Sequence, residues 1–272
     1  MAETSSKKHT LTSSSGSSEG PQQATMKPST PAGSATGYRI GAVVLWVVAI
    51  VFEILAILVL FGKINLTFIP QLWQLIIFLV LDLVALIIGS QLWKKANHID
   101  PASKKNKVKF WLWNNMGVIV AAFAFIPFII LTLTDKNADK KTKTIATIAA
   151  VIALLIGGAA SVDYNPVSEE EKAAAVDEID GDVYWSPFGH VYHMDEDCSA
   201  LNRSEQLTYG PVEDAIAANR TRLCSFCAKR HGVSDAVTTD KANADGVEEI
   251  EEEIEEGVDE EVNDVLGAPA AD

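Results

Sequence analysis

Long apolar runs fill the first part of the chain and give way to short alternating segments after residue 162. Four of the runs are long enough to cross about 30 Å of hydrocarbon, which takes roughly 20 helical residues. We predict that these transmembrane helices cover residues 40–61, 69–93, 110–133 and 145–162. One such run could be a buried helix of a soluble protein, but four in succession favour a transmembrane domain over residues 38–162.

The pattern changes to that of a small soluble module at residues 182–232. Residues 183–185 and 190–193 are aromatic and β-branched, and the turn between them contains Pro187 and Gly189, so they predict a β-hairpin. Residues 211–219 predict a short helix, because a proline precedes acidic residues in its first turn. The predicted fold is therefore mainly α: a four-helix transmembrane bundle followed by a small ββα-like module.

The remaining segments have few large apolar residues. Residues 1–37 are rich in Ser, Thr, Gly and Pro and predict a disordered tail, and residues 163–181 predict a linker. Residues 233–272 form an acidic C-terminal tail that we expect to be largely disordered. An apolar stripe in this tail could instead dock on a partner or on the lysine-rich loop at 94–109. The stripe consists of Val247, Ile250, Ile254, Val258 and Val262.

Charge divides the chain at the same point as hydrophobicity. Residues 1–162 hold 15 Lys and Arg against 7 Asp and Glu, whereas residues 163–272 hold 7 against 29. A basic membrane half and an acidic soluble half fit this division. The acidic half argues against nucleic acid as the main partner, since binding to phosphates requires a basic surface.

Lysine and arginine in the loops predict the orientation of the bundle. Eight flank the helices on one side and five on the other. The larger set consists of Lys27, Arg39, Lys94, Lys95, Lys104, Lys105, Lys107 and Lys109. Because cytosolic loops carry the excess of positive charge, we expect this side, and with four spans both termini, to lie in the cytosol of a cell-membrane protein.

All three cysteines of the chain fall within one constellation with a histidine. The constellation is His193, Cys198, Cys224 and Cys227, in the spacing His-x4-Cys and Cys-x2-Cys. Such paired ligands predict a closed, tetrahedral zinc site, which stabilises structure and has no open position for catalysis. His231 follows Cys227 at a spacing that also suits a ligand, so it is a rival fourth ligand to His193.

The residues around these ligands resemble a known family. The string from Val183 to His193, the Cys198-Ser-Ala-Leu that follows and the closing Arg222-Leu-Cys-Ser-Phe-Cys are similar to the Ada-like zinc-binding modules. The resemblance covers residues 182–232. It implies a zinc-bound, zinc-finger-like ββα unit that uses the four ligands named above, and it does not imply alkyl transfer.

Two carboxylates lie near the middle of predicted spans. Glu53 is in the first span and Asp82 in the second. Charged groups at this depth usually face a bundle interior or an ion path, so the pair could form a proton or cation site, with Asn114 or Asn115 as helpers. The alternative is a protonated carboxyl that forms a hydrogen bond to a neighbouring helix.

These observations lead to three hypotheses about function. The first is a non-enzymatic membrane protein that presents a structural zinc module and an acidic tail to the cytosol, for anchoring, regulation or binding of a protein partner. The second is an ion- or proton-coupled transporter that uses Glu53 and Asp82. The third is a redox sensor in which Cys224 and Cys227 release zinc when they are oxidised.

Overall fold

The computed structural model describes residues 8–9, 22–64, 68–134 and 139–233. The helices are α1 (Ala35–Leu60), α2 (Gln71–Ile99), α3 (Lys107–Asn114), α4 (Met116–Thr134), α5 (Lys140–Ser161), α6 (Glu169–Glu178), α7 (Val212–Ala217) and α8 (Ser225–His231). The strands are β1 (Lys8–His9), β2 (Gln22–Gln23), β3 (Thr25–Pro28), β4 (Val183–Trp185), β5 (Val191–Tyr192), β6 (Gln206–Gly210) and β7 (Arg222–Leu223). The predicted acidic tail lies outside the described residues from position 234 onwards, as do most of residues 1–21.

Four helices, α1, α2, α4 and α5, are long and apolar enough to cross a membrane. Their outward faces carry many exposed aliphatic side chains, for example Val47 on α1, Val80 on α2 and Leu155 on α5. A continuous apolar surface of this kind is unfavourable in water and favourable in hydrocarbon. The prediction of four candidate membrane spans is therefore confirmed.

Small side chains allow the helices of the bundle to approach closely. On α5, the side chains of Ala146, Ala150 and Ala153 are buried in the same core as Leu86 and Phe125. Such residues bring helix backbones near one another, and in a membrane this close packing replaces the hydrophobic effect as the source of stability. The shortest predicted span, 145–162, thus corresponds to α5 except for its last residue, and it packs through its small residues.

The third predicted span, 110–133, is not one continuous helix. The helix is interrupted at Asn115, between α3 and α4. Two side chains of α2 bind the backbone next to this interruption. Trp93 and Asn97 both donate hydrogen bonds to the carbonyl oxygen of Trp113, at 2.8 and 3.0 Å. These donors satisfy a backbone acceptor at the end of α3. The candidate membrane span of this region is α4 alone.

The module that follows the bundle contains two small sheets, and the predicted hairpin is reduced to a single bridge. Residues of the expected hairpin meet through one bridge, Tyr184 to His193. Instead, β4 pairs antiparallel with β6, and β5 pairs parallel with β7. The ββα arrangement is therefore not confirmed, because the pairing of residues 183–185 with residues 190–193 does not extend beyond this bridge and β5 pairs with β7.

The N-terminal segment contributes a strand to this module. β3 pairs parallel with β6, so that the three-stranded sheet has the order β3-β6-β4. Beyond the strand, Asp214 on α7 accepts hydrogen bonds from the hydroxyl of Ser29 (2.7 Å) and the amide of Ala32 (3.3 Å). The prediction of disorder through residue 37 is corrected here, since the edge of β6 supplies backbone partners that the sequence of residues 25–28 alone does not reveal.

The predicted linker at 163–181 contains the helix α6. Ser168 and Glu171 form a reciprocal capping box at its start, and Ala175 and Ile179 are buried in the core of the module. A capping box satisfies two backbone amides that would otherwise lack partners. This segment is therefore a structural part of the module as well as its connection to the bundle.

Candidate metal centre

Short elements deliver the four candidate ligands to one point. His193 directly follows β5, and Cys224 directly follows β7, so the parallel pairing of these strands places the two residues side by side. The amide of Cys224 donates to the carbonyl of Tyr192 at 2.9 Å, which fixes this register. Cys198 precedes a short 3-10 helix at Ser199–Leu201, and Cys227 lies in the first turn of α8.

The four ligand atoms form a compact, buried cluster. All of them lie within 4.8 Å of one another. Sγ of Cys198 is 4.0 Å from Sγ of Cys224, and Sγ of Cys227 is 4.0 Å from Nδ1 of His193. A tetrahedral zinc ion with sulfur bonds of about 2.3 Å separates its ligands by roughly 3.8 Å. The cluster could therefore hold a metal ion with little movement of its side chains.

Burial makes this cluster unfavourable for charged thiolates unless a cation is present. Burial raises the pKa of the Cys198 thiol to about 12, although the amide of Ala200 donates a hydrogen bond to it. Burial also raises the pKa of Cys227, and here the amides of Asp195 and Met194 oppose the shift. A metal ion reverses this balance because it deprotonates the thiols that coordinate it. The backbone amides are thus aligned to stabilise metal-bound sulfur.

His193 is held in the form that binds metals. Burial lowers the pKa of its imidazole to about 4, against the opposing influence of Asp195. The ring is therefore neutral at physiological pH, and only a neutral imidazole has a free lone pair for coordination. Since the side chain is 3 % exposed, the cluster is closed to solvent on this side as well.

The rival ligand His231 lies outside the cluster. Its Nε2 is 2.9 Å from a carboxylate oxygen of Asp195, and its side chain is 35 % exposed. Arg230 binds the other oxygen of the same carboxylate at 2.8 Å. The structure therefore brings His193, and not His231, together with the three cysteines.

The carboxylates of Glu53 and Asp82, on two candidate membrane spans, lie close enough to interact electrostatically. Glu53 on α1 is 6 % exposed and Asp82 on α2 is fully buried. Within the described residues, both carboxylate oxygens of Asp82 and Oε1 of Glu53 are buried without a hydrogen-bond partner. Asn114 lies elsewhere, because its Oδ1 is 3.4 Å from Nδ2 of Asn97. Asn97 is about 22 Å further along α2 than Asp82. Asn114 is therefore too far away to assist the two carboxylates.

Contacts between the bundle and the module were not predicted from the sequence. His98 at the end of α2 and Asp163 after α5 form a buried pair, with Nε2 and Oδ2 2.9 Å apart. Lys104 bonds to Glu171, and Ser103 to Glu170, at the start of α6. Opposite charges in residues 94–109 and 169–171 were the available signal, but charge alone does not specify which residues meet.

Comparison with protein-family models, with curated proteins and with solved structures gives no match to this chain. The function is therefore inferred from the geometry of the site and its position in the fold.

Proposed function

We propose that this chain is an integral membrane protein whose closed metal centre stabilises a soluble module that binds a protein partner in the cytosol. The observation that carries the proposal is the buried Cys3His cluster, with all ligand atoms within 4.8 Å. Zinc is the ion that this donor set favours, because three thiolates and one imidazole suit its tetrahedral preference. Four protein ligands leave no position for a reacting water, so the role is structural and not catalytic.

The arrangement of the chain supports a module on the same side as the N-terminus. Four crossings return the chain to the side where it began. The pairing of β3, which precedes α1, with β6, which follows α5, supports the same arrangement. The excess of lysine and arginine on this side supports the cytosol, and a reducing cytosol suits three thiols gathered on a metal.

Metal removal tests whether the site is structural. In the full chain, reduced and in detergent, we expect chelation to accelerate amide hydrogen exchange across residues 183–233, because so small a core is marginal without its metal. The helices α1, α2, α4 and α5 serve as the internal control and should keep their protection. Equal protection of the module with and without metal would contradict a structural centre.

Two exposed aromatic side chains provide a direct test of partner binding. Phe188 in the turn after β4 is 94 % exposed, and Phe226 on α8 is 59 % exposed. Exposed aromatic residues are typical anchors of protein interfaces. A photoreactive phenylalanine at either position should form adducts in cells that disappear in the variant Cys227→Ser. Adducts that are insensitive to Cys227→Ser would argue against a metal-dependent interaction surface.

The paired carboxylates support proton or cation transport as a second candidate function. Glu53 and Asp82 are buried together without a basic partner among the described residues, which is costly unless they bind a proton or cation. In vesicles, the double variant Glu53→Gln/Asp82→Asn should then abolish a flux that the wild type supports. Equal proton and cation flux in the two proteins would eliminate this candidate.

Burial of the thiols favours a structural centre over a redox sensor. Cys198 and Cys227 are fully buried, and Cys224 is 5 % exposed, whereas sensor cysteines are accessible and have a low pKa. Mild peroxide should therefore leave the metal in place. Prompt release of metal by peroxide would favour the sensor instead.

A further inference from the structure

A cavity opens at the junction between the bundle and the module. Its volume is about 660 Å³, and its walls come from the end of α2, the segment after α5, the turn before β5 and the segment after α7. The chargeable residues that line it are Lys94, Lys95, His98, Asp163, His190 and Arg220. This volume falls within the range of pockets that bind small ligands.

Aromatic residues place the cavity near the surface of the membrane. Tyr164, which lines the cavity, is 68 % exposed, and Trp111 on α3 is 60 % exposed. The ammonium of Lys95 lies 4.7 Å from the centroid of the Tyr38 ring. Tryptophan and tyrosine concentrate where hydrocarbon meets water, so the cavity is at the level of the lipid headgroups.

Positive charge exceeds negative charge in this cavity. Lys94, Lys95 and Arg220 face one carboxylate, that of Asp163. This carboxylate already accepts a hydrogen bond from His98, with 2.9 Å between Nε2 and Oδ2. The cavity therefore has cationic groups that its own acidic residue does not neutralise.

The same cations retain donors for a ligand. Lys94 donates to the carbonyls of Ala160 and Val162 at 2.8 and 3.2 Å, and an ammonium has three hydrogens. Arg220 bonds through its terminal nitrogens to backbone carbonyls, including that of Ser186 at 2.9 Å. Its Nε is buried and has no hydrogen-bond partner among the described residues. The accessible donors are the remaining hydrogen of Lys94 and that of Arg220 Nη1, which carries two hydrogens and donates one to the carbonyl of Ala218. An acceptor that enters the cavity would meet these two donors.

We propose that this cavity binds a phosphate group, carried by an anionic lipid headgroup or by a small soluble phosphate compound. Phosphate oxygens are strong acceptors, lysine supplies a point charge, and arginine supplies an oriented donor. Basic pockets at the ends of membrane helices bind lipid phosphates for this reason. Occupancy would link the bundle to the module, because Lys94 and Lys95 belong to α2 and Arg220 to the module.

Binding of defined probes to the full chain tests the proposal. The protein in phosphatidylcholine nanodiscs is titrated with a fluorescent short-chain phosphatidylglycerol, and separately with inorganic phosphate. We expect Lys95→Gln to weaken binding about tenfold, because it removes one charge-assisted contact. Lys95 is exposed and makes no hydrogen bond to the backbone that is described here, so this variant should fold normally. The variant Arg220→Gln should weaken binding similarly, with metal content as the check on its fold.

Lys105→Gln is the matched control, since Lys105 is an exposed lysine on the same side of the bundle that does not line the cavity. Binding of phosphatidylglycerol alone, dependent on Lys95, would identify a lipid headgroup. Binding of inorganic phosphate with the same dependence would identify a soluble phosphate. If neither probe binds, or if Lys95→Gln binds as Lys105→Gln does, the proposal is overturned.

Discussion

At the scale of single residues, the candidate metal centre depends on burial as much as on the identity of its ligands. His193 and Cys198 are almost completely shielded from solvent, and backbone amides point at the sulfur atoms of Cys198 and Cys227. His231 has the right chemistry but is exposed and binds Asp195. The spacing of cysteines identified the site, whereas the choice between two histidines needed the path of β5 and α8.

A glycine in the bundle gives a sharp test of helix packing. A Cβ added at Gly117 would lie 2.5 Å from Oγ of Ser90 and 3.0 Å from Cβ of Ser161, next to the hydrogen bond between these serines. We expect Gly117→Ala to destabilise the bundle by about 1–3 kcal/mol through overpacking. Thermal unfolding in detergent measures this change.

Gly158→Ala is the control for this variant, because a Cβ there meets no atom within 4 Å. It should be neutral or slightly stabilising, since alanine has the higher helix propensity. If both variants have the wild-type melting temperature, the helices α2, α4 and α5 do not approach one another as closely at Gly117 as the structure shows.

At the scale of elements, long segments were predictable and short ones were not. Four apolar runs identified α1, α2, α4 and α5 because hydrocarbon thickness fixes their length. β3 and β6 are strands of four and five residues whose partners are far away in the chain, so no local pattern reveals their parallel pairing. The break at Asn115 was missed for a similar reason, because the residues that stabilise it, Trp93 and Asn97, belong to another helix.

One carboxylate should control the attachment of the N-terminal strand. Asp214 accepts hydrogen bonds from Ser29 and from the amide of Ala32. We expect Asp214→Asn to accelerate amide exchange in residues 25–32 by about tenfold, because a charged acceptor contributes more than a neutral one. Metal content should stay unchanged, since Asp214 is not a ligand. Unchanged exchange would show that backbone pairing with β6 suffices.

At the scale of the whole molecule, the bundle and the module meet through paired polar groups. His98 and Asp163 are 5 % and 4 % exposed at this junction, and Arg39 binds Asp100 nearby at 2.7 Å. Removing one partner of a buried ion pair destabilises the fold, because the other charge is left buried without compensation. These contacts therefore hold the module against the bundle, and their stability should depend on pH.

Asp163 predicts the direction of this pH dependence. Burial by itself would raise the pKa of its carboxyl, but the hydrogen bond and charge of His98 hold that pKa below the usual value. A carboxyl with a lowered pKa in the folded state stabilises the fold at pH values above its ordinary pKa of about 4. This stabilisation is lost as the pH falls through the lowered pKa. The stability difference between the wild type and Asp163→Asn should therefore be largest near neutral pH and vanish in strong acid.

Thermal unfolding of the two proteins across pH measures this difference, with Asp180→Asn as the control at an exposed position. A difference that grows on acidification would have the wrong sign for a lowered pKa. An Asp180→Asn variant that behaves like Asp163→Asn would show that the effect comes from net charge and not from the junction.

The metal content of the full chain tests the central claim most directly. The protein is purified reduced in detergent, beside His193→Ala and His231→Ala, and its metals are measured by mass spectrometry. We predict about one zinc per chain, retained in His231→Ala and lost or greatly weakened in His193→Ala. A folded wild-type protein without bound metal, or loss of metal in His231→Ala alone, would contradict the closed Cys3His centre.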